Sequence, residues 1–356
     1  MNQFLYKQPV TLESGETLSQ VEVAWHSYGR LSPDASNVVW ICHALTANSD
    51  VAEWWKGLIG PGLAIDTTKY YVVCANVIGG CYGSTGPLSI DPARGRAFYH
   101  DFPRITIRDM VKVHDLLREH LGIRTIHLLI GGSLGGQQAL EWSIEQPEVI
   151  EQLVLIATNA KHSPWGIAFN EAQRMAIQAD ATWSLRKPRA GADGLKAARA
   201  MALLSYRNYH AYAQTQQEES DDKLDQFKAS GYQQYQGKKL VNRFNAFTYW
   251  TLSKAMDSHN VGRGRGGVKS ALELVQARTK VIGISSDVLF PTREQVCLAR
   301  HIPSSQLEII HSQWGHDGFL VEVAQLSSIL KQFLFNKQEH LDWLIHEQVE
   351  NTPNKV

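Results

Sequence analysis

The run Thr125-Ile126-His127-Leu128-Leu129-Ile130-Gly131-Gly132-Ser133-Leu134-Gly135-Gly136-Gln137-Gln138-Ala139-Leu140 restricts this chain to few architectures. An apolar segment stops at a glycine pair, and a single serine and a second glycine pair follow. Apolar residues then return at helical spacing, Ala139 to Trp142 and Leu140 to Ile144. The pattern predicts a buried strand, a sharp turn and a helix. Gly131-x-Ser133-x-Gly135 has the spacing of a nucleophile elbow, where a serine sits at the tip of a strained strand-to-helix turn. Glycine suits the flanking positions because side chains there collide as strand and helix approach, and it tolerates unusual backbone angles. The helix N-terminus adds unsatisfied N–H groups and partial positive charge near the serine oxygen.

Other continuous apolar runs predict further buried strands: Asn37–Cys42, Tyr70–Ala75, Gln152–Ala157, Val281–Ile284 and Gln306–Ile310. Residues Phe4 to Tyr28 alternate weakly and predict one or two antiparallel strands with a turn at Glu13–Glu16. Ile107, Met110, Val111, Leu117 and Leu121 recur at helical spacing before a stop at Gly122. Helices are also expected at Thr292–His301 and Gly318–Phe335. Strands alternating with helices imply an α/β protein with a mostly parallel sheet covered by helices on both faces.

Between residues 163 and 267 the texture changes to Ala, Gln, Tyr and charge, with no strand-like run. Helices are expected at Glu171–Ala179, Gly194–Tyr206, Tyr209–Glu218 and Phe244–Asp257. The expected organisation is a catalytic core from residues 1–162 and 268–345, a helical lid insertion at 163–267, and a polar tail at 346–356. Arg263 and Arg265, in a glycine-rich stretch, read as part of a flexible solvated loop.

Lys plus Arg and Asp plus Glu both total 35, so the formal charge is zero and gives no sign of a nucleic-acid or anionic-membrane partner. No stretch approaches the roughly 20 apolar residues of a membrane-spanning helix, and the N-terminus has no signal-peptide pattern. The scattered cysteines, Cys42, Cys74, Cys81 and Cys297, read as free thiols in a reducing cytoplasm.

A serine nucleophile needs a base that is itself oriented by an acid. In chains with this elbow the acid follows the serine and the histidine comes last. Asp287 directly follows a predicted strand, and His316 lies in the loop after the next one, so both reach the sheet edge that carries Ser133. His311 is the rival base, and a turn-forming role is the alternative for Asp287. An oxyanion hole needs two backbone N–H groups. Leu134, after the nucleophile, supplies one, and Leu45, in the loop after Cys42, is the choice for the other, with His43 shaping that loop. No H-E-x-x-H and no paired C-x-x-C occurs, so no metal site is expected. Gly83-Ser84-Thr85-Gly86 lacks a P-loop lysine and reads as a turn at the rim of the site.

Several stretches together resemble the homoserine O-acetyltransferase family of the α/β-hydrolase superfamily. They are His43-Ala44-Leu45-Thr46, Gly79–Pro87, Phe102–Val111, Gly131–Gly136, Gln138–Trp142, Ala198-Arg199, Ala255–Asp257, Ser286–Pro291 and Gly315–Leu320. The likeness covers nearly the whole chain and implies an α/β-hydrolase fold. It implies acetyl transfer from acetyl-CoA, a co-substrate rather than a cofactor, to the homoserine hydroxyl through an acyl-serine, in methionine biosynthesis. It further implies substrate binding by Arg199 and Asp317, and a homodimer through the lid helices. Ala47 and Asn242–Ala246 depart from the family pattern. Succinyl transfer, serine as acceptor, an esterase using the same triad, and a non-catalytic binding protein are the competing readings.

Overall fold

The computed structural model describes residues 1–335. The tail expected beyond residue 336, including 346–356, lies outside the described residues.

The apolar runs form the strands of an eight-stranded sheet. In chain order these are β1 (Asn2–Tyr6), β2 (Val21–Tyr28), β3 (Val38–Cys42), β4 (Tyr71–Ala75), β5 (Leu128–Gly132), β6 (Gln152–Ile156), β7 (Arg278–Ile284) and β8 (Ser305–Ile310). Their spatial order is β1-β2-β4-β3-β5-β6-β7-β8. β1 and β2 pair antiparallel, β2 pairs antiparallel with β4, and all remaining pairs are parallel. The expected turn near Glu13 joins Val10–Thr11 to Thr17–Leu18 in a small antiparallel ribbon.

Every residue of β3, β5 and β6 is buried, which explains why these strands read as unbroken apolar runs rather than alternating ones. Val38, Trp40 and Cys42 enter the core on one face with residues of α1 (Ile107–His120) and α2 (Leu134–Glu145). Val39 and Ile41 enter the core on the other face. On the first face Trp40 meets Trp142 edge-on, with ring centroids 5.0 Å apart. Thr106 and Asp109 close the N-terminus of α1 as a capping box.

After β6 the chain leaves the sheet and returns at its neighbour β7. Between them lie α3 (Pro164–Gln178), α4 (Ala192–Tyr206), α5 (Tyr209–Gln216), α6 (Lys228–Val241) and α7 (Ala246–Asp257). α3 begins earlier than expected, because Ser163 caps Gly166 N–H and Pro164 occupies the first turn. α6 was not expected at all. Only Gly237, Leu240 and Val241 of it are buried, so its sequence carries little apolar periodicity. Arg174, 1% exposed, ties α3 to α7 through Asp257 and Ser253.

The glycine-rich stretch at the end of this insertion is anchored rather than a loose loop. Arg263 pairs with Glu13 at 2.8 Å, and Arg265 pairs with Glu141 at 2.6 Å and with Glu145. The expectation failed because the partners are remote in sequence. Gly83–Gly86 is likewise stitched to β2: Ser84 Oγ accepts from Ala24 N–H and Thr85 Oγ1 from Glu22 N–H. α8 (Thr292–His301) and α9 (Val323–Phe335) complete the layers.

The chain steps from β3 to β4 on one side, then crosses to β5 on the other side of β3. Such a reversal opens a crevice at the C-terminal ends of the strands, where open α/β sheets bind ligands. The loops after β3 and β5 therefore converge there.

Candidate active site

Ser133 joins β5 to α2 with φ 57° and ψ −125°, a conformation that costs a non-glycine residue about 1–3 kcal/mol. The turn is too tight for side chains beside it. A Cβ on Gly131 would lie 2.1 Å from Gly135 O, and one on Gly135 would lie 2.0 Å from Cys42 O. The second contact also fixes α2 against the end of β3. Ser133 is held by its backbone: its N–H donates to Ile156 O, and its carbonyl accepts from Thr158 Oγ1. Its Oγ has no hydrogen-bond partner among the described residues, and contacts of this kind commonly tighten only when substrate binds.

Asp287 and His316 meet, with His316 Nδ1 2.6 Å from Asp287 Oδ2. Asp287 is also the turn former that its position after β7 suggested: Oδ1 accepts from Leu289 N–H at 2.8 Å and Phe290 N–H at 2.9 Å. One carboxylate thus holds its own loop and one ring nitrogen of the histidine. His316 is buried, stacked on Phe290 at 5.1 Å and flanked by Phe319 at 5.3 Å and Tyr206 at 5.8 Å. Phe319 also abuts the elbow, since a Cβ on Gly132 would meet its ring at 2.7 Å. The rival His311 is exposed on the same loop, and its carbonyl accepts from Gln325.

Neither Leu45 N–H nor Leu134 N–H is engaged by an acceptor among the described residues. Their two segments are joined by Gln138, whose Nε2 donates to His43 O at 3.2 Å and Leu134 O at 3.1 Å. His114 Nε2 lies 3.0 Å from Gln138 Oε1 and fixes that amide. Burial pushes His114 down to about 4, so its ring is neutral at pH 7. His43 shapes the loop as expected: Val77 N–H donates to its Nε2, leaving Nδ1 to donate to Ala44 O. Burial lowers His43 to about 4 as well.

Arg199 and Asp317 approach the histidine through different neighbours. Arg199 Cζ lies 5.4 Å over the Tyr206 ring, and among the described residues its guanidinium has no carboxylate partner. Burial raises the Tyr206 phenol above its ordinary value. Asp317 is already paired, its Oδ2 accepting from Arg207 Nε at 3.0 Å. Gly315 packs so tightly on this corner that a Cβ there would lie 2.9 Å from Tyr206 O. The end of α4 thereby buttresses the histidine loop. Sequence reading missed the roles of Gln138 and Arg207, because each acts on a residue more than ninety positions away; Gln138 stands in the elbow stretch, but nothing there points to His43.

A strained serine between β5 and α2, and an Asp–His pair on the loops after β7 and β8, define a protein of the α/β-hydrolase fold. The family model of that fold matches residues 37–323. A homoserine O-acetyltransferase of Cyclobacterium marinum is 48% identical over 330 residues, covering 93% of this chain and 94% of that protein. The crystal structure of homoserine O-acetyltransferase from Bacillus anthracis superposes with a TM-score of 0.88 at 26% identity, covering 94% of this chain and 97% of that one. This chain belongs to the homoserine O-acetyltransferase family. Esterase E22 is also similar in structure, with a TM-score of 0.85 at 25% identity, covering 94% of this chain and 99% of that one.

Proposed function

We propose that this chain transfers an acetyl group from acetyl-CoA to the side-chain hydroxyl of homoserine, through an acetyl ester on Ser133. His316 takes the Ser133 proton as Oγ attacks the thioester carbonyl, and returns it to the departing CoA thiolate. Asp287 keeps the proton of neutral His316 on Nδ1, so that Nε2 is free to accept. The Leu45 and Leu134 N–H groups hold the oxyanion. In the second step His316 takes the proton of the homoserine hydroxyl as that oxygen attacks the acetyl-serine, then returns it to Ser133 Oγ as O-acetylhomoserine leaves. No cofactor enters either step.

Arg199 takes the homoserine carboxylate, and Asp317, with Oδ1 left over from its pair with Arg207, takes the ammonium. The helical insertion acts as a lid that keeps water from the acetyl-serine. The 2.6 Å hydrogen bond between His316 and Asp287, on loops facing the elbow, carries the reading. The relatives named homoserine O-acetyltransferase support homoserine as acceptor and an acetyl donor. The same relatives support a place in methionine biosynthesis. Exposed apolar side chains on the insertion, including Trp165, Leu204 and Tyr209, support a homodimer through these helices. Four unpaired cysteines suit a reducing cytoplasm.

The likeness to esterase E22 favours one second reading, in which water takes the acyl group. Thiol release from acetyl-CoA separates the two. Release beyond one equivalent of thiol should depend on homoserine, and succinyl-CoA or serine should be poor replacements. Release at the same rate without homoserine would establish the hydrolase instead.

A further inference from the structure

A cavity of about 400 Å³ lies where the helical insertion meets the core, lined by neither Ser133 nor His316. That volume is within the range of small-molecule sites. α7 turns one side toward it: Phe247, Trp250, Thr251 and Lys254 recur at the spacing of a single helix face. The other side of α7 is occupied inside the insertion, with Tyr249 hydrogen-bonded to Gln173 and Ser253 to Arg174. The facing wall is the loop from Tyr99 to Ile105, and Trp183 joins from the loop before α4.

The walls are aromatic to an unusual degree. Trp183 lies 5.0 Å from Phe247 and 5.3 Å from Trp250, and His100 sits edge-on to Trp183 at 4.6 Å. Tyr99 rests 5.2 Å from Phe247 and adopts φ 51°, a conformation that a bulky residue seldom takes. Trp183 and Trp250 stay only half-buried, so apolar ring surface faces the space instead of filling it.

The rim carries two cationic side chains, Arg104 and Lys254, and one acid, Glu16. Arg104 is exposed, and its guanidinium has no carboxylate partner among the described residues. Lys254 lies 5.8 Å over Trp250 and 3.5 Å from Glu171. The lining acid, Glu16, already accepts from Arg104 N–H and from Ser14 Oγ.

From these observations we propose that the cavity is a second ligand site, which takes a planar heteroaromatic ring carrying an anionic group, as in a purine nucleotide. The ring packs on the half-buried faces of Trp183 and Trp250 beside the exposed His100, and Arg104 with Lys254 holds the phosphate. Stacking on such walls contributes roughly 1–3 kcal/mol per base, and a guanidinium holds a phosphate with two parallel hydrogen bonds. Two sources share this chemistry, a free nucleotide and the nucleotide end of a CoA thioester. Only the second rests on the function proposed above.

Calorimetric titration of the full chain with adenosine 5′-monophosphate tests the proposal without requiring turnover. Saturable binding is expected, with adenosine and ribose 5-phosphate each weaker by about tenfold or more. Arg104→Ala and His100→Ala, both at exposed positions, should each weaken AMP binding and leave the melting temperature unchanged. Repeating the titration in saturating CoA identifies the source. Displacement by CoA but not by pantetheine assigns the site to the donor's nucleotide end, and no displacement assigns it to a separate nucleotide. No AMP binding at millimolar concentration, or equal affinity in both variants, overturns the proposal.

Discussion

Replacing Asp287 by Asn separates the two tasks of one carboxylate. Oδ1 accepts from the N–H groups of Leu289 and Phe290 at 2.8 and 2.9 Å, while Oδ2 faces His316 Nδ1 at 2.6 Å. Asparagine has one oxygen and one NH2 group to fill both places. Turning NH2 toward the loop would leave two buried donors unsatisfied, at about 1–3 kcal/mol each. The oxygen therefore stays with the loop, and NH2 points at His316. Nδ1 must then accept, the ring proton moves to Nε2, and His316 no longer takes a proton from Ser133. The fold keeps its hydrogen bonds, so the melting temperature should hardly change. The rate should fall about 10⁴-fold, equivalent to about 5.5 kcal/mol of transition-state stabilisation. Asp287→Ala loses the loop contacts too, and should lower stability by about 2 kcal/mol or more. Thiol release at saturating substrates, with a thermal melt of each variant, reads both effects. Activity of Asp287→Asn within tenfold of the parent, or a melt shifted as far as that of the Ala variant, would refute the reasoning.

Two further outcomes follow from the same geometry. Arg199→Ala and Asp317→Ala should leave acetylation of Ser133 near the parent rate while slowing transfer to homoserine roughly tenfold or more per lost charged contact, read by single-turnover measurement of each half-reaction; equal slowing of both would remove the clamp. Burial depresses His43, His114 and His162 to about 4 and His259 to about 3, below their ordinary 6.5. The unfolded chain therefore binds protons first: this stability is present above pH 6.5 and is lost as pH falls toward 4, at about 1.4 kcal/mol per pH unit for each histidine. Denaturant melts across that window check the slope, and a flat profile would show that these rings are protonated in the fold.

Much of the sheet was legible because buried parallel strands admit only apolar residues, so β3, β5 and β6 appear as unbroken runs. The elbow was legible for a steric reason, since a Cβ on either Gly131 or Gly135 would lie within 2.1 Å of a backbone oxygen, so neither tolerates a substitute without movement. Asp287 and His316 could be singled out because each follows a strand and so reaches the same edge. What stayed hidden depends on partners distant in the chain. Nothing near Arg207 announces Asp317, nothing near Gln138 announces His43, and Arg265 gave no sign of Glu141. The polar helix α6 was missed because its apolar contacts fall within its last turn.

The central claim is that Ser133 carries the acetyl group between donor and acceptor. Mixing the protein with acetyl-CoA in the absence of homoserine, quenching in acid and weighing the peptide that contains Ser133 measures this directly. The account predicts a gain of one acetyl group on that peptide, discharged on adding homoserine and absent in Ser133→Ala. An unmodified peptide from protein that still turns over, or an acetyl group on another residue that homoserine discharges, would contradict it.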